Sequence, residues 1–91
     1  MKHFASPGYW KLYHALKPEL RRRADLAFRL LKENPGHRSL RFEKKGAGWS
    51  ARVSQGYRAL AFEHPEGLVW FWIGPHDEYE RLIPLIRPSV R

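Results

Sequence analysis

The sequence contains no cysteine among its 91 residues, which rules out a disulfide framework, a thiolate nucleophile and thiolate metal ligands. That composition suits a reducing compartment. No apolar run approaches the length needed to cross a bilayer, and the opening Met-Lys-His-Phe-Ala-Ser-Pro-Gly lacks the apolar stretch of a secretory leader. A soluble, cytoplasmic protein with no membrane partner is the expectation. Catalytic signatures are equally scarce. There is no glycine-rich phosphate loop and no Ser-His-Asp set to nominate. His3, His14, His37, His64 and His76 are dispersed without HxxxH or carboxylate–His spacing, so neither a metal site nor a cofactor is expected. Repeats, low-complexity segments and linkers are missing too, and a chain this short supports one core. Residues 1–91 therefore read as a single domain.

Acidic residues are few where basic ones are many. The formal net charge is +8 and the pI is near 10.3, a balance that favours an anionic partner, nucleic acid or acidic protein. Residues 11–58 hold 13 of the 17 Lys and Arg against four acids (Glu19, Asp25, Glu33, Glu43), a local excess of +9. Arg21-Arg22-Arg23 has an ordinary reading as the solvated face of a helix. Arg41, Lys44, Lys45, Arg52 and Arg58 are different, because they fall on strands or strand ends where packing rewards apolar side chains.

Ser6-Pro7 supplies a hydroxyl cap and a proline at the first helical position, and the spacing of Tyr9, Leu12, Tyr13 and Leu16 predicts a helix to about Leu16. Pro18 restarts the chain as a second helix with Leu20, Ala24, Ala27 and Leu31 on its buried stripe, ended by Asn34-Pro35-Gly36. Such a helical hairpin covers one face of a sheet. Met1–Ala5 is a candidate short strand, and Ser39–Lys45 reads as another, with Leu40 and Phe42 on one face. Three antiparallel strands follow, Trp49–Ser54, Tyr57–Glu63 and Leu68–Ile73, joined by turns at Gln55-Gly56 and His64–Gly67. Gly74-Pro75 ends the last strand, His76–Ile83 makes about two helical turns, and the tail Leu85–Arg91 is expected to fray. The class is α+β.

Strand parity leaves one question open. A plain two-residue loop at Gln55-Gly56 pairs Val53 with Arg58, placing Arg58 on the face of Trp49, Ala51, Val53, Leu60, Phe62, Val69, Phe71 and Ile73, the core side. A bulge at that turn instead puts Arg52 and Arg58 on one face. In either case alternation places Trp70 and Trp72 opposite Phe71, on the side of Arg52. His76 and Tyr79, three apart on a short helix, share a face. They have two readings, a packed structural pair or an acid–base pair. With an arginine to neutralise a phosphate, the second would suffice for cleaving RNA through its 2′-hydroxyl without metal.

The run NPGHRSLRFEKKGAGWSARVSQGYRALAF, followed by WFWIGPHDEYERLI, resembles the RelE/ParE superfamily of type II toxin–antitoxin toxins, from about Leu16 to Ile83. The resemblance rests on the tryptophan-led strand WSARV, the Tyr-Arg-Ala-Leu strand after a glycine turn, and the terminal Gly-x-His-x-x-Tyr. It implies a helical hairpin packed on a three- to four-stranded antiparallel sheet with a short C-terminal helix. It also implies a ribosome-dependent, metal-independent mRNA endonuclease, an mRNA interferase that inhibits translation. The implied partners are a cognate antitoxin protein, mRNA and the ribosome. On the family pattern Arg58 contacts the scissile phosphate, His76 and Tyr79 take part in acid–base chemistry, and Lys44, Lys45 and Arg52, with Arg41 beside them, hold RNA. Arg38 and Ser39 stand where some branches carry a glutamate base. One branch inhibits gyrase instead, so a non-nuclease inhibitor or an inactive binding protein on the same fold is the alternative.

The charge excess carries its own test. RNA binding by the purified chain should weaken steeply between low and physiological salt, because each neutralised phosphate releases counterions. An affinity that stays level across that range would exclude a phosphate-dominated contact.

Overall fold

A computed structural model describes residues 1–86. Strand β1 (Lys2–Ala5) ends at Ser6, whose Oγ accepts the Tyr9 N–H at 3.2 Å and so caps α1 (Pro7–His14). The end of α1 is closed from outside: the Arg21 guanidinium donates to the carbonyls of Leu16 and His14. Pro18, preceded by an extended Lys17, opens α2 (Pro18–Glu33), which stops at Asn34. These helices match the sequence expectation to within two residues at each end.

The strand expected over Ser39–Lys45 does not form over its full length. The His37 ring accepts the Ser39 N–H at 3.2 Å and starts a 3-10 turn, Arg38–Leu40, and Arg41 then adopts a left-handed conformation at φ 44°. Such a backbone costs a non-glycine residue about 1–2 kcal/mol and cannot belong to a pleated strand. Only β2 (Glu43–Lys45) remains, against β3 (Gly48–Ser54), followed by β4 (Tyr57–His64), β5 (Gly67–Pro75) and α3 (His76–Leu82). The five strands lie in the order β1-β5-β4-β3-β2. β2 to β5 form the expected antiparallel part, and β1 adds a parallel edge to β5. Gly67 makes that edge possible: its φ is +153°, and a Cβ there would strike the Lys2 backbone.

Two irregularities set which side chains share a face. On β3 the ladder runs Arg52↔Arg58 and then Ser54↔Tyr57, leaving Val53 as an extra residue, so the bulge alternative is the one realised beside a two-residue turn. On β5 Leu60 pairs with Trp72 but Ala61 with Trp70, leaving Phe71 over. The second bulge corrects the expectation that Trp70 and Trp72 point the same way. Trp70, 3 % exposed, belongs to the helix-covered core with Ala24, Leu31, Leu40, Ala51, Ala59, Ala61, Leu68 and Ile73, whereas Phe71 packs against Phe62 on the other face. Helix α1 lies on β5 and α2 on β3, and the Tyr13 hydroxyl bridges them by donating to Asp25 at 2.8 Å.

Helix α3 folds back over the second face, covering the fully buried Leu60. It runs into a 3-10 turn, Ile83–Leu85, whose end is held by Ile86 N–H on the Ile83 carbonyl. Leu85 belongs to that turn, and Ile86 packs where Gly48 leaves room. The rest of the expected tail, residues 87–91, lies outside the described residues.

Strand β1 carries a pH-sensitive contact. His3 Nδ1 accepts the Trp70 indole N–H at 3.1 Å, between the rings of Phe28 and Phe42. Burial, helped by nearby positive charge, holds this imidazole below the usual histidine range. The unfolded chain then binds the proton more readily. The contribution of His3 is intact above about pH 6.5 and is lost as pH falls through the lower folded value. Urea unfolding should show stability declining from about pH 7 toward 5.5, with part of the decline removed in His3→Gln, which keeps an acceptor but does not titrate. An identical pH profile in the variant would disprove the assignment.

Candidate anion site on the second sheet face

The Val53 bulge brings Arg52 and Arg58 directly opposite one another on the face away from α1 and α2. Arg58 is half-buried, and its Nη1 donates to the carbonyls of Ser54 (2.8 Å), Tyr57 (3.0 Å) and Gln55 (3.2 Å) around the β3–β4 turn. Among the described residues its Nε and Nη2 make no hydrogen bond, so donors remain to address a ligand. The same turn positions α3, since the His76 N–H donates to the Gly56 carbonyl at 2.9 Å. One hairpin thus anchors both the arginine head and the helix that carries His76 and Tyr79.

Tyr79 forms the floor. It is 5 % exposed, its ring lies 6.0 Å from the Arg58 guanidinium carbon, and its hydroxyl donates to the buried Ser50 Oγ at 3.2 Å. The His76 ring sits 5.2 Å from that of Tyr79, half-exposed, with Nε2 3.9 Å from a Glu80 carboxylate oxygen. Ser50 and Glu80 also belong to this site, and no motif or spacing marks them in the chain. Ser50 carries the clearer signal in hindsight, a small polar residue between apolar neighbours on a core strand.

Electrostatics sets this site apart. Burial lowers the Arg58 guanidinium pKa, and the Arg52 and Arg41 charges lower it further, against an opposing effect of Tyr79. Among the described residues no carboxylate lies within ion-pair distance of Arg41, Arg52 or Arg58. The lysines behave otherwise: Lys44 pairs with Glu63 at 3.3 Å and Lys45 with Glu43 at 3.5 Å, both at the surface. Glu63 also accepts the Trp49 indole N–H at 2.9 Å, and that bond, with Lys44, holds its carboxyl below the usual range. Of the seven residues singled out from the sequence, the structure gathers Arg41, Arg52, Arg58, His76 and Tyr79, and leaves Lys44 and Lys45 on the neighbouring hairpin with partners of their own. No three His, Asp or Glu side chains converge among the described residues. What the arrangement offers is a cationic surface with no paired carboxylate among the described residues and a histidine beside it, a combination suited to a phosphate group.

This architecture is the fold of the RelE/ParE-like toxins. The toxin fold of the RelB–RelE antitoxin–toxin complex from Methanococcus jannaschii superimposes with a TM-score of 0.65 at 10% identity, covering 89% of this chain and 99% of that one. A YoeB/ParE toxin from Agrobacterium tumefaciens gives 0.62 at 19% identity over 84% and 99%. A copper-bound mutant toxin from Helicobacter pylori gives 0.57 at 14% identity over 86% and 97%. No family model matches the sequence, and no curated protein does.

Two like charges facing each other across a ladder destabilise it. Arg52→Gln should accordingly leave the thermal midpoint unchanged or raise it, while Tyr79→Phe should lose about 1 kcal/mol with its buried hydrogen bond. A loss above about 1 kcal/mol in Arg52→Gln would mean that Arg52 has a stabilising role this geometry does not account for.

Proposed function

We propose that this chain is the toxin of a toxin–antitoxin pair and an endoribonuclease that cuts mRNA on the ribosome. The observation that carries the reading is the pair Arg52 and Arg58, face to face with no carboxylate within ion-pair distance among the described residues, above Tyr79 and beside His76. A structural arginine in a half-buried position ordinarily acquires an acid. Among the described residues this pair has none, a lack that an anionic ligand would compensate.

In this mechanism the Arg58 Nε and Nη2 donors hold the non-bridging oxygens of the scissile phosphate and stabilise the charge that grows as the 2′-oxygen attacks. Arg52 and Arg41 raise the local potential and hold flanking phosphates. Proton transfer to the leaving group falls to His76, which protonates the 5′-oxygen as its bond to phosphorus breaks, while the attacking 2′-hydroxyl gives up its proton to solvent water. Tyr79, its hydroxyl committed to Ser50, positions Arg58 and His76 and does not exchange protons itself. Lys44 and Lys45 hold RNA at the periphery, exchanging Glu63 and Glu43 for phosphate. An antitoxin that covers this face silences the toxin. The chain acts as one domain, in the cytoplasm where ribosomes are.

Purified protein on programmed ribosomes, with no divalent metal beyond what ribosomes require, tests the reading. Arg58→Ala should cost on the order of 10²–10³-fold in cleavage rate and His76→Ala on the order of 10²–10⁴-fold. Tyr79→Phe should lose less than either. Growth arrest by a wild type that leaves ribosomal mRNA whole would reject the nuclease in favour of a gyrase-type inhibitor. Full cleavage by His76→Ala would reject only the proton-transfer assignment.

A further inference from the structure

Three of the four tryptophans are accounted for by their neighbours. Trp49 stacks on Phe42 at 4.9 Å and donates its indole N–H to Glu63. Trp70 lies in the core with its N–H on His3, and Trp10 is wedged against Tyr9 and Tyr13 on α1. Trp72 is different. Among the described residues it has no ring stacked on it and no acceptor for its indole N–H, which reaches solvent because no buried polar atom is left unpartnered. Its place is set by the ladder between β4 and β5, where Leu60 faces Trp72 and Arg58 faces Gly74, so both β5 residues belong to the second sheet face. A Cβ at Gly74 would stand 2.5 Å from Trp72 Cζ2 and 2.9 Å from Cη2. The six-membered ring of the indole therefore crosses the bare backbone of Gly74 and fills the space a side chain there would take. Directly opposed residues bring their Cβ positions to about 5 Å, so this ring lies alongside the stem of Arg58.

We propose that Trp72 is the platform on which a nucleobase of the bound RNA stacks, beside the phosphate that Arg58 holds. A nucleotide is the ligand that joins an anion to a planar ring, and this face offers a cation and an indole on neighbouring strands. Arg52 and Arg58 have no carboxylate within ion-pair distance among the described residues, so the phosphate half of the ligand is called for by charge. The indole calls for the other half, because base–aromatic stacking holds any base through its π-face and favours the larger purine rings. Trp72 acts as a positioning residue: a base fixed on it sets the ribose and its phosphate in register with Arg58 and His76. Gly74 belongs to the same device, since any side chain there would lift the ring off the sheet. The inference rests on the nuclease reading of this face and deepens it by naming what holds the substrate besides charge.

The test compares two uncleavable single strands of equal length and charge, a 2′-O-methyl oligoadenylate and its abasic sugar–phosphate counterpart, binding to the purified full chain. The wild type should prefer the oligoadenylate. Trp72→Leu should weaken it about tenfold, a usual loss for one base on one ring, and leave the abasic strand unaffected, since the arginines remain. Trp72→Tyr, which restores an aromatic face, should recover most of the preference, and Gly74→Ala should lose it. Equal weakening of both strands in Trp72→Leu would make Trp72 a support for the arginines and overturn the proposal. Loss of the preference in Trp10→Leu instead would overturn it too, by placing the stacked base on α1. The unmodified protein gives a readout that no folding defect can blur: the indole N–H resonance of Trp72 should shift with oligoadenylate and stay still with the abasic strand. A resonance that ignores both would also overturn the proposal. Ribosomal cleavage is scored separately. Base-dependent binding at Trp72 by a chain that leaves mRNA whole would reject the nuclease and keep the platform, and cleavage without it would reject the platform alone.

Discussion

Two residues left out of the strand ladder, Val53 on β3 and Phe71 on β5, govern the rest of this molecule. Side chains alternate between sheet faces with a period of two, so a single extra residue moves everything beyond it to the other side. Without the bulge at Val53, Arg58 would point into the layer of Ala51, Ala59 and Trp70, where a guanidinium is not tolerated without a partner. With it, Arg58 meets Arg52 on the far face, and the helix-covered side is left apolar. The bulge at Phe71 does the same for the tryptophans, sending Trp70 inward to His3 while Phe71 joins Phe62 on the other face.

The β3–β4 turn is the second organising feature. Its carbonyls at Ser54, Gln55 and Tyr57 hold the Arg58 head, and its Gly56 carbonyl receives the first N–H of α3. Fixing one hairpin therefore fixes the arginine relative to His76 and Tyr79, and the Tyr79–Ser50 bond ties the helix down from beneath. The arrangement keeps like charges close at some cost in stability, as a site prepared for an anion would.

Basic residues that look alike in the chain are sorted by their surroundings into separate roles. Arg21 closes a helix end, Lys44 and Lys45 are paired with glutamates, and Arg23, Arg52 and Arg58 are left without acids among the described residues. The two N-terminal helices also divide labour, α1 on β5 and α2 on β3.

Elements whose signals are local can be read from the order of residues alone. Ser6-Pro7 and Pro18 start helices, Asn34-Pro35-Gly36 stops one, and Gln55-Gly56 turns a hairpin, because capping and turn chemistry act over a few residues. That order also brought Arg52 and Arg58 forward as cations on strands, and His76 and Tyr79 as a pair on one face of a short helix. Tertiary structure decided what depends on parity and pairing. Whether Arg58 faces the core or Arg52 turns on one bulge, and a bulge is selected by packing on both faces of the sheet rather than by Val53 itself. The truncation of Ser39–Lys45 to three residues follows from the His37 side chain and the left-handed Arg41, which a pattern of alternating polarity does not reveal. The hydroxyl of Tyr79 found Ser50, 29 residues away, only because α3 folds back across the sheet. Contacts of that range are properties of the folded chain, and no local run of residues contains them.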